Sequence, residues 1–385
     1  MTASGAPASG TPASGEAGPR SPLLAVHEAA GAQLIDFAGW QMPVRYGSDL
    51  AEHETVRQRA GLFDLSHMAE LRVRGPEAAA FLDHALAGRL SAIEPWQAKY
   101  SLLLAEHGGI IDDLIVYRTG DAEYLVVANA SNRHAALDAL TARIAGFDAT
   151  IADETEETGL VAVQGPAALA IVGAIGLESE PLDGMRYYRS APAVFEGEDV
   201  LVARTGYTGE DGFELYIAAH AAEHLWRAIV LAGEAHGLAL CGLASRDTLR
   251  LEAGMALYGQ DMDESATPFE AGLGWTVALD EGRAFTGREV LERQKHSGAP
   301  RQMVGLVLDD RGVLRHGQAV FTAAGEGEIL SGTFSPTLGR SIALARVPAG
   351  VVGTAEVDVR GRRLPVRVVR YPFVRDGVAQ AGVLG

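Results

Sequence analysis

Two adjacent acids near the middle of the chain, Asp112 and Asp113, are the first residues whose types and position could do chemistry. They follow the segment Gly-Gly-Ile-Ile at 108–111, which predicts a hairpin turn entering a β-strand. Neighbouring strand residues face opposite ways, so only one of the two carboxylates can point into a given cavity, where it could accept a proton. From these residues alone, a solvated pair of turn acids is the simpler interpretation.

A third acid, Glu214, follows a glycine-rich segment. Residues 206–212 contain three glycines, so the backbone there can bend closely around a ligand. The alternation of the following strand places Glu214 on the face opposite its two apolar neighbours. An exposed strand carboxylate remains the alternative, because Glu210 and Asp211 lie alongside.

A cation, Arg246, stands near the start of a predicted helix. One stripe of that helix is predicted to be buried, and it consists of Ala244, Thr248, Leu251 and Met255. Arg246 lies on another face and is free to bind a polar group. The alternative is an ion pair within the helix, such as Asp247 with Arg250, although this explains the neighbours of Arg246 better than Arg246 itself.

The sequence lacks the motifs of several common binding and catalytic sites. It has no Gly-x-Gly-x-x-Gly after a strand, no phosphate-binding Gly-Lys-Ser/Thr loop, no His-Glu-x-x-His and no Gly-x-Ser-x-Gly. His220 and His224 lie four residues apart on a predicted helix and could begin a metal site. No third ligand is implied nearby, so we expect two solvent-facing histidines and no metal.

Composition narrows the class of protein. The chain has 385 residues, with 50 acidic and 32 basic side chains and a formal charge of −18. Such acidity argues against nucleic acid as a partner, and no apolar run approaches the roughly 18 residues of a membrane-spanning helix. The single cysteine, Cys241, favours a reducing compartment, and we predict a cytoplasmic protein. Residues 1–20, rich in Ala, Ser, Gly and Pro, are predicted to be a disordered tail.

An internal repeat in the sequence indicates which elements position these residues. A helix predicted at 49–60 is followed by two copies of a strand, a Gly-Pro turn and a helix, at 71–82 and 160–172. Each copy continues through an Arg-Thr-Gly turn into a strand and another helix. We interpret this order as duplication of an α+β unit, although strand–Gly-Pro–helix is also common turn chemistry.

The pattern changes after Ala271. Short alternating runs between residues 302 and 374, separated by Gly and Pro, predict a small all-β barrel or sandwich. A polar stretch at 293–300 is the expected linker before it.

Seven segments, in this order, resemble the glycine cleavage T-protein, a family of tetrahydrofolate-dependent aminomethyltransferases. The segments are 37–43 (FAGWQMP), 61–68 (GLFDLSHM), 100–104 (YSLLL), 108–117 (GGIIDDLIVY), 204–214 (RTGYTGEDGFE), 245–254 (SRDTLRLEAG) and 331–336 (SGTFSP). The likeness extends from about residue 22 to residue 375, which is nearly everything except the tail.

The resemblance implies a fold and a reaction. The fold is an α+β cloverleaf of three domains, with a discontinuous folate-binding domain at 21–66 and 155–270, an inserted α+β domain at 67–154 and a C-terminal β-barrel domain at 271–385. The reaction moves a one-carbon unit from the aminomethyl-dihydrolipoyl arm of a lipoylated H-protein to tetrahydrofolate, with release of ammonia.

The resemblance also selects site residues. It makes Asp113 the catalytic residue, whose carboxylate accepts a proton. It assigns Glu214 and Arg246 to the pterin ring, because a carboxylate can accept from adjacent N–H donors and a guanidinium can donate to a carbonyl. Other positions match the folate pocket, as its walls or at its outer end, and these are Met68, Tyr100, Tyr117, Asn129, Tyr187, Tyr207, Trp275 and Arg375.

Three other functions of the same fold remain open at this point. The first is a folate-dependent demethylase that takes methyl groups from an oxygen or sulfur donor. The second is a non-catalytic relative in iron–sulfur assembly, but its Lys-Gly-Cys motif is absent, since Cys241 lies in Leu-Cys-Gly-Leu. The third is the folate module of a dimethylglycine- or sarcosine-type oxidase, which is normally joined to a flavin domain.

Overall fold

The computed structural model of the protein describes residues 18–384, so most of the tail predicted at 1–20 lies outside the described residues. The helices are α1 (Leu24–Ala29), α2 (Asp49–Gln58), α3 (Ala78–Ala85), α4 (Arg133–Arg143), α5 (Ala168–Val172), α6 (Ala222–Gly233), α7 (Leu243–Glu252) and α8 (Arg288–Ser297). Among residues 18–384, no helix has the length and apolar character needed to cross a membrane.

Helix α2 shows how local sequence determines an element. Ser48 caps it by accepting a hydrogen bond from the Ala51 amide, and Asp49 and Glu52 place negative charge in the first turn. The helix ends at Gln58, two residues earlier than predicted, because a strand begins at Gly61.

The strands form three large assemblies and two small hairpins. They are β1 (Gln33–Phe37), β2 (Trp40–Arg45), β3 (Gly61–Asp64), β4 (Ala69–Arg74), β5 (Ala98–Leu104), β6 (Ile110–Arg118), β7 (Glu123–Ala128), β8 (Thr150–Asp153), β9 (Thr158–Gln164), β10 (Glu178–Ser179), β11 (Ser190–Phe195), β12 (Glu198–Ala203), β13 (Gly212–Ala218), β14 (Ala239–Leu240), β15 (Arg301–Leu308), β16 (Ala319–Thr322), β17 (Gly325–Ser335), β18 (Arg340–Pro348), β19 (Thr354–Val359), β20 (Arg362–Val369), β21 (Val374–Arg375) and β22 (Val378–Ala379).

The predicted duplication is confirmed by strand order. One sheet runs β5-β6-β7-β4-β8, and a second runs β10-β11-β12-β13-β9-β3-β14, so β5-β6-β7-β4 and β11-β12-β13-β9 correspond strand for strand. In both copies a glycine with positive φ, Gly75 or Gly165, leads from strand to helix. A Cβ at either glycine would lie 2.4 or 2.5 Å from a backbone oxygen, so only glycine fits this turn.

The C-terminal region is a closed barrel, β15-β18-β17-β16-β19-β20, which confirms the prediction of an α+β protein with a C-terminal β-barrel. The linker expected at 293–300 is wrong, because residues 288–297 form helix α8. Leu291 of this helix is fully buried, while Arg288 and Glu292 pair on the outside at 2.6 Å. The polar residues interpreted as a linker belong to the solvent side of an amphipathic helix.

Helix α7, which carries Arg246, packs against α2, β2 and the barrel strand β17. The prediction that Ala244, Thr248, Leu251 and Met255 form its buried stripe is wrong for all but Leu251. The residues actually buried are Ser245, Leu249, Arg250, Leu251 and Glu252. Polar residues occupy this face because each has a buried partner, as Arg250 does in Asp261, with 2.5 Å between Nη1 and Oδ2. The expected Asp247–Arg250 pair is also present, at 2.8 Å.

A buried ionic cluster joins α7 to its surroundings. Arg57 of α2 donates to Glu252 through Nη2 (2.8 Å) and to Glu210 through Nη1 (2.7 Å), and its Nη1 also reaches the Thr208 carbonyl oxygen (2.7 Å). Thr337, beside the barrel strand β17, donates to the same Glu252 carboxylate at 2.7 Å. These contacts fix the 206–214 segment, α7 and the barrel relative to one another.

The strands of each large assembly fall within one predicted domain. We therefore keep 21–66 with 155–270, 67–154 and 271–385 as the proposed division of the chain into domains.

Candidate active site

Strand β6 carries the two adjacent acids on opposite faces. Asp112, Leu114 and Val116 are buried toward α3 and α4, while Asp113 and Tyr117 face the other way. The pairing of β6 with β5 places Asp113 opposite Leu102 and next to Tyr100. A solvated pair of turn acids is therefore wrong, because the sheet, rather than the turn, holds both carboxylates.

Asp113 is held by two donors. The Tyr100 hydroxyl donates to its Oδ2 at 2.8 Å, and the Asn129 side-chain amide donates to its Oδ1 at 2.8 Å. Burial raises the pKa of Asp113, although these two hydrogen bonds oppose the rise. A carboxylate with a raised pKa is suited to take up and return a proton near neutral pH.

Two residues around this site carried no functional signal in the sequence. Asp112 is fully buried and accepts from Asn129 and Asn132, but periodicity only placed it on the far side of the strand. Thr205 lies in the second Arg-Thr-Gly turn, and its hydroxyl donates to Glu214 Oε2. The recurrence of that turn in both copies was the only available hint of its importance.

Glu214 lies on β13 and is only 8% exposed, so the alternative of an exposed carboxylate is wrong. Its Oε2 accepts from Thr205 (2.5 Å) and from the Tyr117 hydroxyl (3.3 Å). Tyr216 in turn donates to Tyr117 at 3.3 Å, so the hydroxyl groups form a buried chain behind the carboxylate. Oε1 has no hydrogen-bond partner among residues 18–384 and is free to accept from a ligand.

Arg246 lies over the ring of Tyr207, with its guanidinium carbon 4.9 Å from the ring centroid. The Tyr207 hydroxyl donates to the Ala256 carbonyl oxygen, which fixes the ring. Burial lowers the pKa of Arg246, and the negative charge of Glu214 opposes this shift. Arg246 Nη1 is buried without a hydrogen-bond partner in the described part of the chain. An unpaired buried donor is costly, and a ligand carbonyl would satisfy it.

Aromatic residues extend from these polar groups toward the surface. Tyr100 stacks on Trp275, with centroids 5.7 Å apart and planes inclined by 21°. Trp275 is 71% exposed and Tyr187 is 49% exposed, so both mark the open end of the group. Tyr187 meets Tyr188 edge-on at 4.8 Å.

Met68 and Arg375 lie at the margins. Met68 packs, with Tyr188, against the buried cluster that contains Tyr117. Arg375 is exposed at the end of the short strand β21. The contacts described here join the other selected residues into one group, and among residues 18–384 no side-chain hydrogen bond or ion pair ties Arg375 to that group.

The possible metal ligands lie elsewhere. His220 and His224 are each 72% exposed and face Glu198 and Glu196 at 3.1 and 3.7 Å. Within residues 18–384, no three His, Cys, Asp or Glu side chains are arranged to hold a metal ion. Cys241 is buried.

In chemical terms the arrangement offers a carboxylate with one free oxygen, an unpaired guanidinium donor and aromatic walls. These groups fit a flat heterocycle that presents N–H donors beside a carbonyl. Asp113 adds a second carboxylate, one whose pKa burial raises.

Comparisons with known proteins show the family of the chain. Residues 23–281 match the family model described as the GCVT N-terminal domain, and residues 301–375 match the glycine cleavage T-protein C-terminal barrel domain. An aminomethyltransferase from Stenotrophomonas maltophilia strain K279a is 52% identical over 362 residues, covering 93% of this chain and 96% of that protein. Another, from Xanthomonas oryzae pv. oryzae strain MAFF 311018, is 50% identical over 363 residues, covering 93% and 97%.

A solved structure gives the same result. The crystal structure of the glycine cleavage system aminomethyltransferase T from Bartonella henselae superposes with a TM-score of 0.85 at 35% identity, covering 94% of this chain and 99% of that one. The relatives carry the aminomethyltransferase name, which favours this activity over the demethylase alternative. The chain therefore belongs to the glycine cleavage T-protein family of aminomethyltransferases.

Proposed function

We propose that this aminomethyltransferase binds tetrahydrofolate between Glu214, Arg246 and the aromatic walls, and that Asp113 handles the protons of the transfer. The observation that carries the proposal is that Tyr117, on the same face of β6 as Asp113, donates to Glu214, whose negative charge acts on Arg246. Glu214 presents a free carboxylate oxygen and Arg246 an unpaired N–H, which complement the amino group, ring N–H and carbonyl of a pterin.

The donor is proposed to be the aminomethyl group carried on the dihydrolipoyl arm of an H-protein. Folate nitrogen attacks the methylene carbon, the second folate nitrogen closes the bridge, and the products are methylene-tetrahydrofolate, ammonia and the reduced arm. Two hydrogens leave the folate nitrogens, and one ends on the ammonia and one on the thiol. In this proposal Asp113 accepts such a proton and returns it to the leaving amine.

The remaining side chains have supporting roles in this proposal. Tyr100 and Asn129 orient the Asp113 carboxylate, and Tyr117 holds Glu214. Tyr207 supports Arg246 from below the guanidinium plane. The wall and outer positions are assigned to Met68, Tyr187, Trp275 and Arg375, with Arg375 directed to the glutamate carboxylates of the folate.

The location in the cell is also a proposal. The single cysteine of the sequence, Cys241, is buried and favours a reducing compartment, and we propose the cytoplasm.

The test of the proposed function is Asp113→Asn, which keeps the shape of the side chain and removes its ability to accept a proton. We expect carrier-dependent formation of ammonia to fall by roughly 10²- to 10⁴-fold, the range for loss of general acid–base catalysis. The dissociation constant for tetrahydrofolate, followed by intrinsic Trp fluorescence, should change little. Turnover near the wild-type rate would show that Asp113 is not the catalytic acid.

A further inference from the structure

Asp112 is a buried carboxyl group that the proposed reaction does not use. It has no exposed surface and faces the helices behind the sheet, on the side opposite Asp113. Three N–H groups donate to it: the Asn129 backbone amide at 3.1 Å, the Asn129 side chain at 2.8 Å and the Asn132 side chain at 2.7 Å. No cation forms an ion pair with it among residues 18–384.

The Asn129 side chain connects the two acids. Its amide nitrogen lies 2.8 Å from Asp112 Oδ1 and 2.8 Å from Asp113 Oδ1, and a carboxamide has two N–H groups to give. Asn129 follows the end of strand β7, where its backbone and side chain both bond to Asp112. The orientation of the amide that reaches Asp113 is therefore set by Asp112.

Burying Asp112 lowers the stability of the folded protein. Burial, and then the negative charge of Asp113, raise the pKa of Asp112, which means that its ionised form is disfavoured where it lies. An apolar residue would pack against α3 and α4 without that cost. Two of the three hydrogen bonds to this buried acid come from Asn129, so the acid is explained by the contact that Asn129 makes with Asp113.

We propose that Asp112 is a positioning residue, which fixes Asn129 and through it the orientation of the Asp113 carboxylate. The inference rests on the proposed role of Asp113. Asp112 itself does not reach the substrate side, because successive strand residues point to opposite faces.

The experiment compares Asp112→Asn, Asp113→Asn and the double variant in the carrier-dependent assay. In Asp112→Asn, one acceptor becomes an amide donor that faces the Asn129 N–H, so the Asn129 turn must shift. Misplacement of a catalytic group on this scale lowers kcat on the order of 10- to 100-fold. We expect KM for tetrahydrofolate to stay near the wild-type value, and the double variant to be no slower than Asp113→Asn alone.

Asp83→Asn is the matched control. It makes the same chemical change in a carboxylate of the same region, one that accepts from the Leu90 and Ser91 amides and does not contact Asn129. Its kcat should equal that of the wild-type enzyme even where its melting temperature falls. This control separates loss of stability from loss of positioning.

Two results of this experiment would contradict the positioning role of Asp112. A wild-type kcat in Asp112→Asn, or losses that multiply in the double variant, would overturn the inference. If Asp112→Asn does not fold, Asn132→Ala removes one donor from Asp112 and should give a smaller drop in kcat, which again is absent in the Asp113→Asn background. Wild-type turnover in Asp113→Asn would instead contradict the proposed function, so the two failures are distinguishable.

Discussion

Replacing Glu214 by glutamine tests directly whether this carboxylate binds the pterin. Thr205 and Tyr117 already donate to Oε2, which leaves Oε1 as the acceptor that faces a ligand. In Glu214→Gln the oxygen is expected to stay with these two donors, and the amide nitrogen then takes the position of Oε1. A donor would face the N–H groups of the pterin, and the negative charge would be lost.

The magnitude follows from the lost hydrogen bond. A hydrogen bond to a charged group contributes about 1.5–3 kcal/mol. Since each 1.4 kcal/mol is tenfold in affinity, the dissociation constant for tetrahydrofolate should rise by roughly 10- to 140-fold. The fold should be retained, because the two side chains that hold Glu214 keep their acceptor.

The assay is a calorimetric titration with tetrahydrofolate, supported by Trp fluorescence, since Trp275 stacks on Tyr100 at the open end of the site. Glu198→Gln on the adjacent strand β12 is the control, because Glu198 is partly exposed and pairs with His220 rather than facing the site. An affinity in Glu214→Gln equal to that of the wild type would refute the assignment of Glu214 to the pterin.

Two further predictions concern protons. Tyr100→Phe removes a hydrogen bond that lowers the pKa of Asp113, so the acidic limb of the kcat–pH profile should move to higher pH, and an unmoved limb would contradict this contact. Burial opposes ionisation of Glu252, but hydrogen bonds and charge from His53 and Arg57 lower its pKa from 4.5 to about 2. Its stabilisation is therefore complete above about pH 4.5 and lost as the pH falls through about 2. Urea unfolding should show Glu252→Gln destabilised at neutral pH, with the difference shrinking in acid; a difference independent of pH would argue against an ionised Glu252.

Local sequence patterns predicted the elements well where the physical signal is itself local. The two strand–Gly-Pro–helix copies were predicted from the Gly-Pro turn, and the structure shows positive φ at both glycines, Gly75 and Gly165. Alternation of apolar and polar residues likewise predicted the C-terminal barrel. Helix α2 begins at Asp49, where the sequence predicted it to begin.

Predictions failed where the burial of a residue depends on which other helix or strand packs against it. The stretch 293–300 was interpreted as a linker, yet most of it continues α8, whose Leu291 packs inside. The stripe predicted on α7 was wrong because α2, β2 and the barrel together cover a different face, on which Arg250 and Glu252 find buried partners.

The sequence by itself determined the family, the order of the elements and the chemical types at the site, because motifs and periodicity are properties of neighbouring residues. Only the tertiary structure decided that Asp112 lies without exposure behind Asp113, and that Asn129 donates to both. It also decided that one nitrogen of Arg246 is left unpaired among residues 18–384. Hydrogen bonds and desolvation act between atoms that are close in space, and that closeness exists only after distant segments have packed together.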